Sequence, residues 1–217
     1  MLRDTLFNDW YTTIIVASLV IVVSAKLLNI NRFTELIKLI GTSNYLRIYF
    51  KDHKFFDPFD ILLFLNFCIN TVLIGILTYN SFVDNIELNS SLFLRLLLIF
   101  TASVLFKILV ELGVGYLFDI KKLFHSYVFQ QISFFNFLGV VLLPLNSLLI
   151  FGVPNNRGFL TGILILSGLI LLTGFIRSIK FYQKQLINNF FYFILYLCTL
   201  EIGPYILICK LFSYDIN

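Results

Sequence analysis

The chain is expected to fold as an all-α polytopic membrane helix bundle, and three observations predict it. Of its 217 residues, 59% are hydrophobic and 13% are charged, with a mean hydropathy of +0.92. Soluble domains are about 25% charged, so this chain cannot cover its surface with polar groups. Six apolar stretches approach or exceed about 20 residues, the length at which a helix spans a bilayer with its backbone satisfied internally. Lys and Arg gather in alternate connections, as they do in cytoplasmic loops. The expectation is one integral-membrane domain over residues 1–217, with six transmembrane helices and both termini outside.

The stretches run over residues 10–28, 59–79, 92–118, 127–151, 159–177 and 189–212. The first has a signal-peptide-like ending at Val23-Ser24-Ala25, but Arg3 is offset by Asp4 and Asp9. A signal peptide needs a basic start, so a span is favoured. The second opens on Asp57-Pro58-Phe59-Asp60. That order places a cap, a first-turn proline and an early acid at a helix N-terminus. The fourth contains Pro144, and the fifth carries Gly158, Gly162, Gly168 and Gly174, which suit close helix packing.

Orientation follows from the connections. Residues 29–57 hold Arg32, Lys38, Arg47, Lys51 and Lys54. Lys121 and Lys122 follow the third stretch, and Arg177, Lys180 and Lys184 follow the fifth. The opposite side has only Arg3, Arg157 and Lys210, while residues 80–91 carry Asp84 and Glu87 and no basic residue. The basic side is therefore assigned to the cytoplasm. Between helices 1 and 2, Phe33, Leu36, Ile37 and Ile40 share one helical face before Gly41. This predicts an amphipathic cytoplasmic segment lying in the bilayer interface or offered to a partner.

Charge inside the spans is costly and marks candidate sites. Glu201 sits in the middle of the sixth stretch, and the third holds Lys107 and Glu111, one helical turn apart. Ser103 and Gly115 extend that pair into a narrow small-and-polar stripe that should face the bundle interior. Lys107 and Glu201 fall near the middles of their stretches, so Lys107, Glu111 and Glu201 are expected to form one buried ionic cluster. Pro204 would break the helix beside it by freeing the Leu200 carbonyl. Arg95 lies nearer an end and can snorkel. Asn66, Asn70 and Asn136 are expected to form interhelical hydrogen bonds. Glu111-Leu112-Gly113 is echoed by Glu201-Ile202-Gly203, the slight hint of an inverted repeat.

Several chemistries find no support. Both histidines, His53 and His125, are placed in connections, and no HExxH, P-loop, GxGxxG or CxxC occurs. Cys68, Cys198 and Cys209 lie in or beside apolar runs and read as core residues. No catalytic residue, metal site or cofactor is therefore assigned. Basic residues scattered between apolar runs also argue against nucleic acid.

The C-terminal run Tyr196-Leu197-Cys198-Thr199-Leu200-Glu201-Ile202, closing on Pro204, resembles the closing signature of an uncharacterised family of Bacteroidetes integral-membrane proteins. Phe106-Lys107 with Leu117-Phe118, and the run from Gly139 to Pro144, are similar to the same family. That family is classed as a domain of unknown function. The resemblance implies a multi-pass protein of the inner membrane in a Gram-negative envelope, and implies no activity. The expected role is a structural or accessory subunit of an envelope complex, with the bilayer and unidentified envelope proteins as partners. A small transporter or proton-coupled component using Lys107, Glu111 and Glu201 is the alternative, and a membrane enzyme acting on lipids comes third.

Overall fold

The computed structural model describes residues 9–40, 57–83, 89–117, 121–153 and 156–186. Among them all regular structure is helical: α1 (Asp9–Leu28), α2 (Ile30–Ile37), α3 (Pro58–Phe82), α4 (Ser90–Leu117), α5 (Lys121–Ser147) and α6 (Arg157–Leu186). A 3-10 turn, Lys38–Ile40, extends α2, and a π turn, Leu148–Gly152, follows α5. All but α2 are long and apolar enough to cross a membrane, over Trp10–Leu28, Pro58–Phe82, Ser90–Gly113, Phe124–Gly152 and Arg157–Arg177. The stretch 189–212, with Glu201 and Pro204, lies outside the described residues, as do Cys198 and Cys209.

The core is the α3–α5 pair. The apolar windows of α3 and α5 are 56% and 50% buried, against 17–22% for α1, α4 and α6. The outer helices expose large side chains, such as Leu98 at 70% and Ile165 at 65%, which suit contact with lipid. α1 packs on α3, α6 on α5, and α4 on both central helices. Gly139 sets the closest approach. A Cβ built there would stand 2.6 Å from the Phe67 Cα, so only glycine lets the two backbones meet. Phe67 then stacks on Phe135 with ring centroids 4.8 Å apart.

Helix bounds depart from expectation where the chain offers no stop. α5 begins at Lys121, earlier than expected, because residues 116–138 contain neither Gly nor Pro. His125, expected in a connection, is therefore part of α5. For the same reason α6 runs past residue 177 to Leu186. Pro144 does not end α5, since helix continues to Ser147 before widening into the π turn.

α2 corrects the reading of its own face. Phe33, Leu36 and Leu39 are buried, but Ile37 is half exposed. The tighter 3-10 turn advances each residue by about 120° in place of 100°, which brings Leu39 inward. This face joins the main core with Phe59 and Phe67. Arg177 Nη1 also donates to the Leu39 carbonyl at 2.7 Å, tying α6 to the turn. Phe33, Leu36 and Leu39 are thus covered by the bundle itself, while Ile37 stays half exposed.

Candidate functional site

Burying a polar group costs several kcal/mol in lipid unless it is satisfied within the protein. Three clusters on the described helices meet most of that demand, although Asn66 Nδ2, Asn136 Oδ1 and Asn146 Oδ1 have no hydrogen-bond partner among the described residues. The first stands where α2 meets α3. Arg32 Nη1 bonds Asp57 Oδ2 at 2.7 Å and its Nη2 bonds Asp60 Oδ2 at 2.6 Å, with the Arg32 and Asp60 side chains only 6% and 8% exposed. The Arg32 guanidinium also lies 4.9 Å from the centre of the Phe59 ring. Asn136 Nδ2 of α5 reaches Asp60 Oδ1 at 3.4 Å. Asp57 is the residue before α3, as expected of a cap, but its carboxylate makes no capping bond and serves Arg32 instead.

The second cluster joins α1, α3 and α5. Ser18 Oγ donates to Asn66 Oδ1, and Asn70 Nδ2 donates to Ser18 Oγ at 2.7 Å and to Asn66 Oδ1 at 3.0 Å. Asn146 Nδ2 donates to the Asn70 carbonyl at 3.0 Å and to Asn70 Oδ1 at 3.2 Å. Asn66, Asn70 and Asn146 are almost wholly buried. Asp60–Asn136 and Asn70–Asn146 are both pairs 76 positions apart. Equal offsets mean that α3 and α5 run parallel and in register. Their two rungs stand about 15 Å apart along the helices.

The third cluster lies between α4 and α5. Lys107 Nζ and Glu111 Oε1 are 3.8 Å apart, one turn from each other, with side chains 5% and 2% exposed. Gln131 completes it from α5. Oriented by its neighbours, the amide donates from Nε2 to Glu111 Oε2 and accepts at Oε1 from Lys107 Nζ, both at 2.9 Å. A neutral amide thus clamps both members of an ion pair, which compensates for burying it. One turn further along α4, the bare Gly115 receives the Phe124 ring.

Two cavities adjoin this cluster. One, of about 400 Å³, lies among α4, α5 and α6 and is lined by Lys107, Tyr127, Gln131 and Phe175 among others. The second, of about 380 Å³, runs along α3 and includes Thr71, Thr78, Phe100 and Leu142 in its walls. Lys107, Phe135 and Leu171 line both. No group of three or more His, Cys, Asp or Glu side chains that could hold a metal occurs among the described residues.

The sequence-derived residues therefore divide. Lys107 and Glu111 come together, Asn66 and Asn70 share a cluster with α1 and α5, and Asn136 meets Asp60. Glu201 and Pro204 fall outside the described residues. Arg32, Asp60, Ser18, Gln131 and Asn146 escaped sequence reasoning. Arg32 counted only towards loop charge, though it directly precedes buried Phe33. Asn146 had a visible signal, since its spacing from Asn136 matches that of Asn70 from Asp60.

A family model described as a domain of unknown function (DUF4271) matches residues 11–212, so the chain belongs to that family. No curated protein and no solved structure matches it.

Proposed function

We propose that this protein is a multi-pass inner-membrane subunit with a structural or accessory role in an envelope complex of a Gram-negative bacterium. The observation that carries this reading is the closed joint between α3 and α5. The two helices touch at Gly139 with no space for a methyl group. Hydrogen-bonded rungs hold their register on either side of that contact. Side chains committed to such joints stiffen a bundle, whereas alternating access requires elements that rock about a site. The apolar outer faces of α1, α4 and α6 remain for lipid or for neighbouring membrane helices.

Affinity purification of the tagged protein from native membranes tests this. A defined set of envelope proteins should be recovered in fixed ratio, and Glu201→Gln should reduce that recovery. Purification as a lone, monodisperse protein under mild detergent would count against it. The buried Lys107–Glu111 pair beside a cavity favours a second reading, a proton-coupled component. Under that reading Lys107→Gln would retain partners and protein level yet lose a membrane-potential-dependent flux.

A further inference from the structure

We propose that the groove between α4 and α6 seats the chain's own apolar stretch 189–212, which brings Glu201 to the level of Lys107. This goes beyond the subunit reading and does not depend on it. α6 packs on α5, and the two adjoining cavities form a groove along the flank of α6 that faces α4. Its wall follows α6 from Leu164 to Phe175, about 16 Å at 1.5 Å per residue. Counted out to its mouth, the second cavity alone holds about 1,090 Å³ of empty space. A helix about 10 Å across fills on the order of 400 Å³ per turn, so this space takes between about two and three turns. The groove is about three turns long, and a helix laid along it fits.

The chain beyond α6 selects the occupant. α6 ends at Leu186, and the apolar stretch starts three residues later. Helices joined by so short a connection lie antiparallel and side by side. α6 runs toward the end of the groove lined by Tyr127, Gln131 and Phe175, so the chain leaves α6 beside it. A hairpin turning at 187–188 sets residue 201 opposite Gly174, each about 20 Å from the turn. Gly174 shares a wall with Lys107 and Gln131. The other flank of α6 offers only exposed apolar side chains, Ile165, Leu169 and Ile176, which line neither cavity. A carboxylate on that flank would lie in lipid, at a cost of several kcal/mol. On the groove side Glu201 joins the polar centre already formed by Lys107, Glu111 and Gln131, whose donors and acceptors suit it ionised or protonated.

The test is disulfide cross-linking of the full-length protein in native membranes, in a background lacking Cys68, Cys198 and Cys209. Val104, on the α4 wall, is replaced by cysteine and paired in turn with a cysteine at each position from 202 to 209 other than Pro204. Two positions three or four apart should cross-link at least about fivefold better than those between them, as one face of a helix would. Val104 lies three residues from Lys107, so the best position should fall between 202 and 206. Leu171→Cys, on the α6 wall, should cross-link over the same range, and Leu169→Cys, on the lipid side of α6, about tenfold less. All products should have the mass of a single chain. A product of twice that mass would give the groove to a second copy and overturn the proposal. Preference for Leu169→Cys over Leu171→Cys would overturn it by placing the stretch on the other flank. The absence of any Val104→Cys product, in protein that melts with the parent, would overturn it by leaving the groove to lipid. A best position at 208 or 209 would carry Glu201 more than a turn from Lys107 and overturn the register.

Discussion

Replacing Gly139 with alanine strikes the bundle at its tightest point. The new Cβ would lie 2.6 Å from the Phe67 Cα, 2.8 Å from its nitrogen and 2.9 Å from its Cβ. Carbon atoms settle at roughly 3.5–4.0 Å, so α3 and α5 must part by about 1 Å. Two of those three contacts are backbone atoms, so no rotamer change relieves them. The rungs on either side are already 3.4 Å at Asp60–Asn136 and 3.0–3.2 Å at Asn70–Asn146. Parting by ~1 Å carries them beyond hydrogen-bonding distance. Overpacking costs about 1–3 kcal/mol, and each interhelical bond about 0.6 kcal/mol and at most ~1.7. Alanine returns about 1 kcal/mol of helix propensity. The net loss should be about 2–3 kcal/mol, roughly the overpacking and bond terms less the propensity gain. Reversible unfolding in mixed micelles with increasing dodecyl sulfate measures it. Gly75→Ala is the control, because its Cβ would meet nothing within 4 Å. That variant should be neutral or slightly stabilising. If Gly139→Ala unfolds at the same point as the parent and Gly75→Ala, the closed-joint argument is wrong.

The other buried joints give graded expectations. Arg32→Ala leaves the Asp60 carboxylate buried without its guanidinium, and should cost about 3–5 kcal/mol. Loosening of α2 should appear as faster amide hydrogen exchange over residues 30–40 than in the parent. Asn70→Ala removes the amide that donates to Ser18 and Asn66 and the Oδ1 that accepts from Asn146, and keeps the backbone carbonyl that also accepts from Asn146. Its loss should be about 1–2 kcal/mol in the same unfolding titration, and Asn70→Leu, with volume restored, should lose less. Gln131→Leu withdraws the amide between Lys107 and Glu111 and should cost about 1–3 kcal/mol. Gln131→Leu combined with Lys107→Leu and Glu111→Leu should recover stability, since an apolar replacement of a whole buried pair is often neutral or better.

Local pattern carried most of the secondary structure. Continuous apolar length located the five described spans, and Pro58 with Asp57 marked the start of α3 to within a residue. Ends were read less well where nothing in the chain forbade further helix, as at Lys121 and Leu186. Polar residues embedded in apolar runs were legible as costly, which is why Lys107, Glu111, Asn66, Asn70 and Asn136 stood out. Arg32 and Asp60 did not, because each lies at an element end where charge is normally solvated. Gln131 fell inside the expected fourth stretch, 127–151, but near its start, where a polar side chain did not stand out as costly.

By itself, then, the sequence determined that this is a chain of apolar helices, and which residues would be expensive to bury. Each of those properties is written in one stretch of chain and needs no partner. The tertiary structure decided who pairs with whom. Asn70 bonds Asn146, Asp60 holds Arg32, and Gln131 clamps Lys107 and Glu111, because α3 and α5 run parallel in one register and α4 returns beside them. Register comes from the close backbone approach of Gly139 to Phe67, a contact between residues far apart in the chain that neither helix encodes alone.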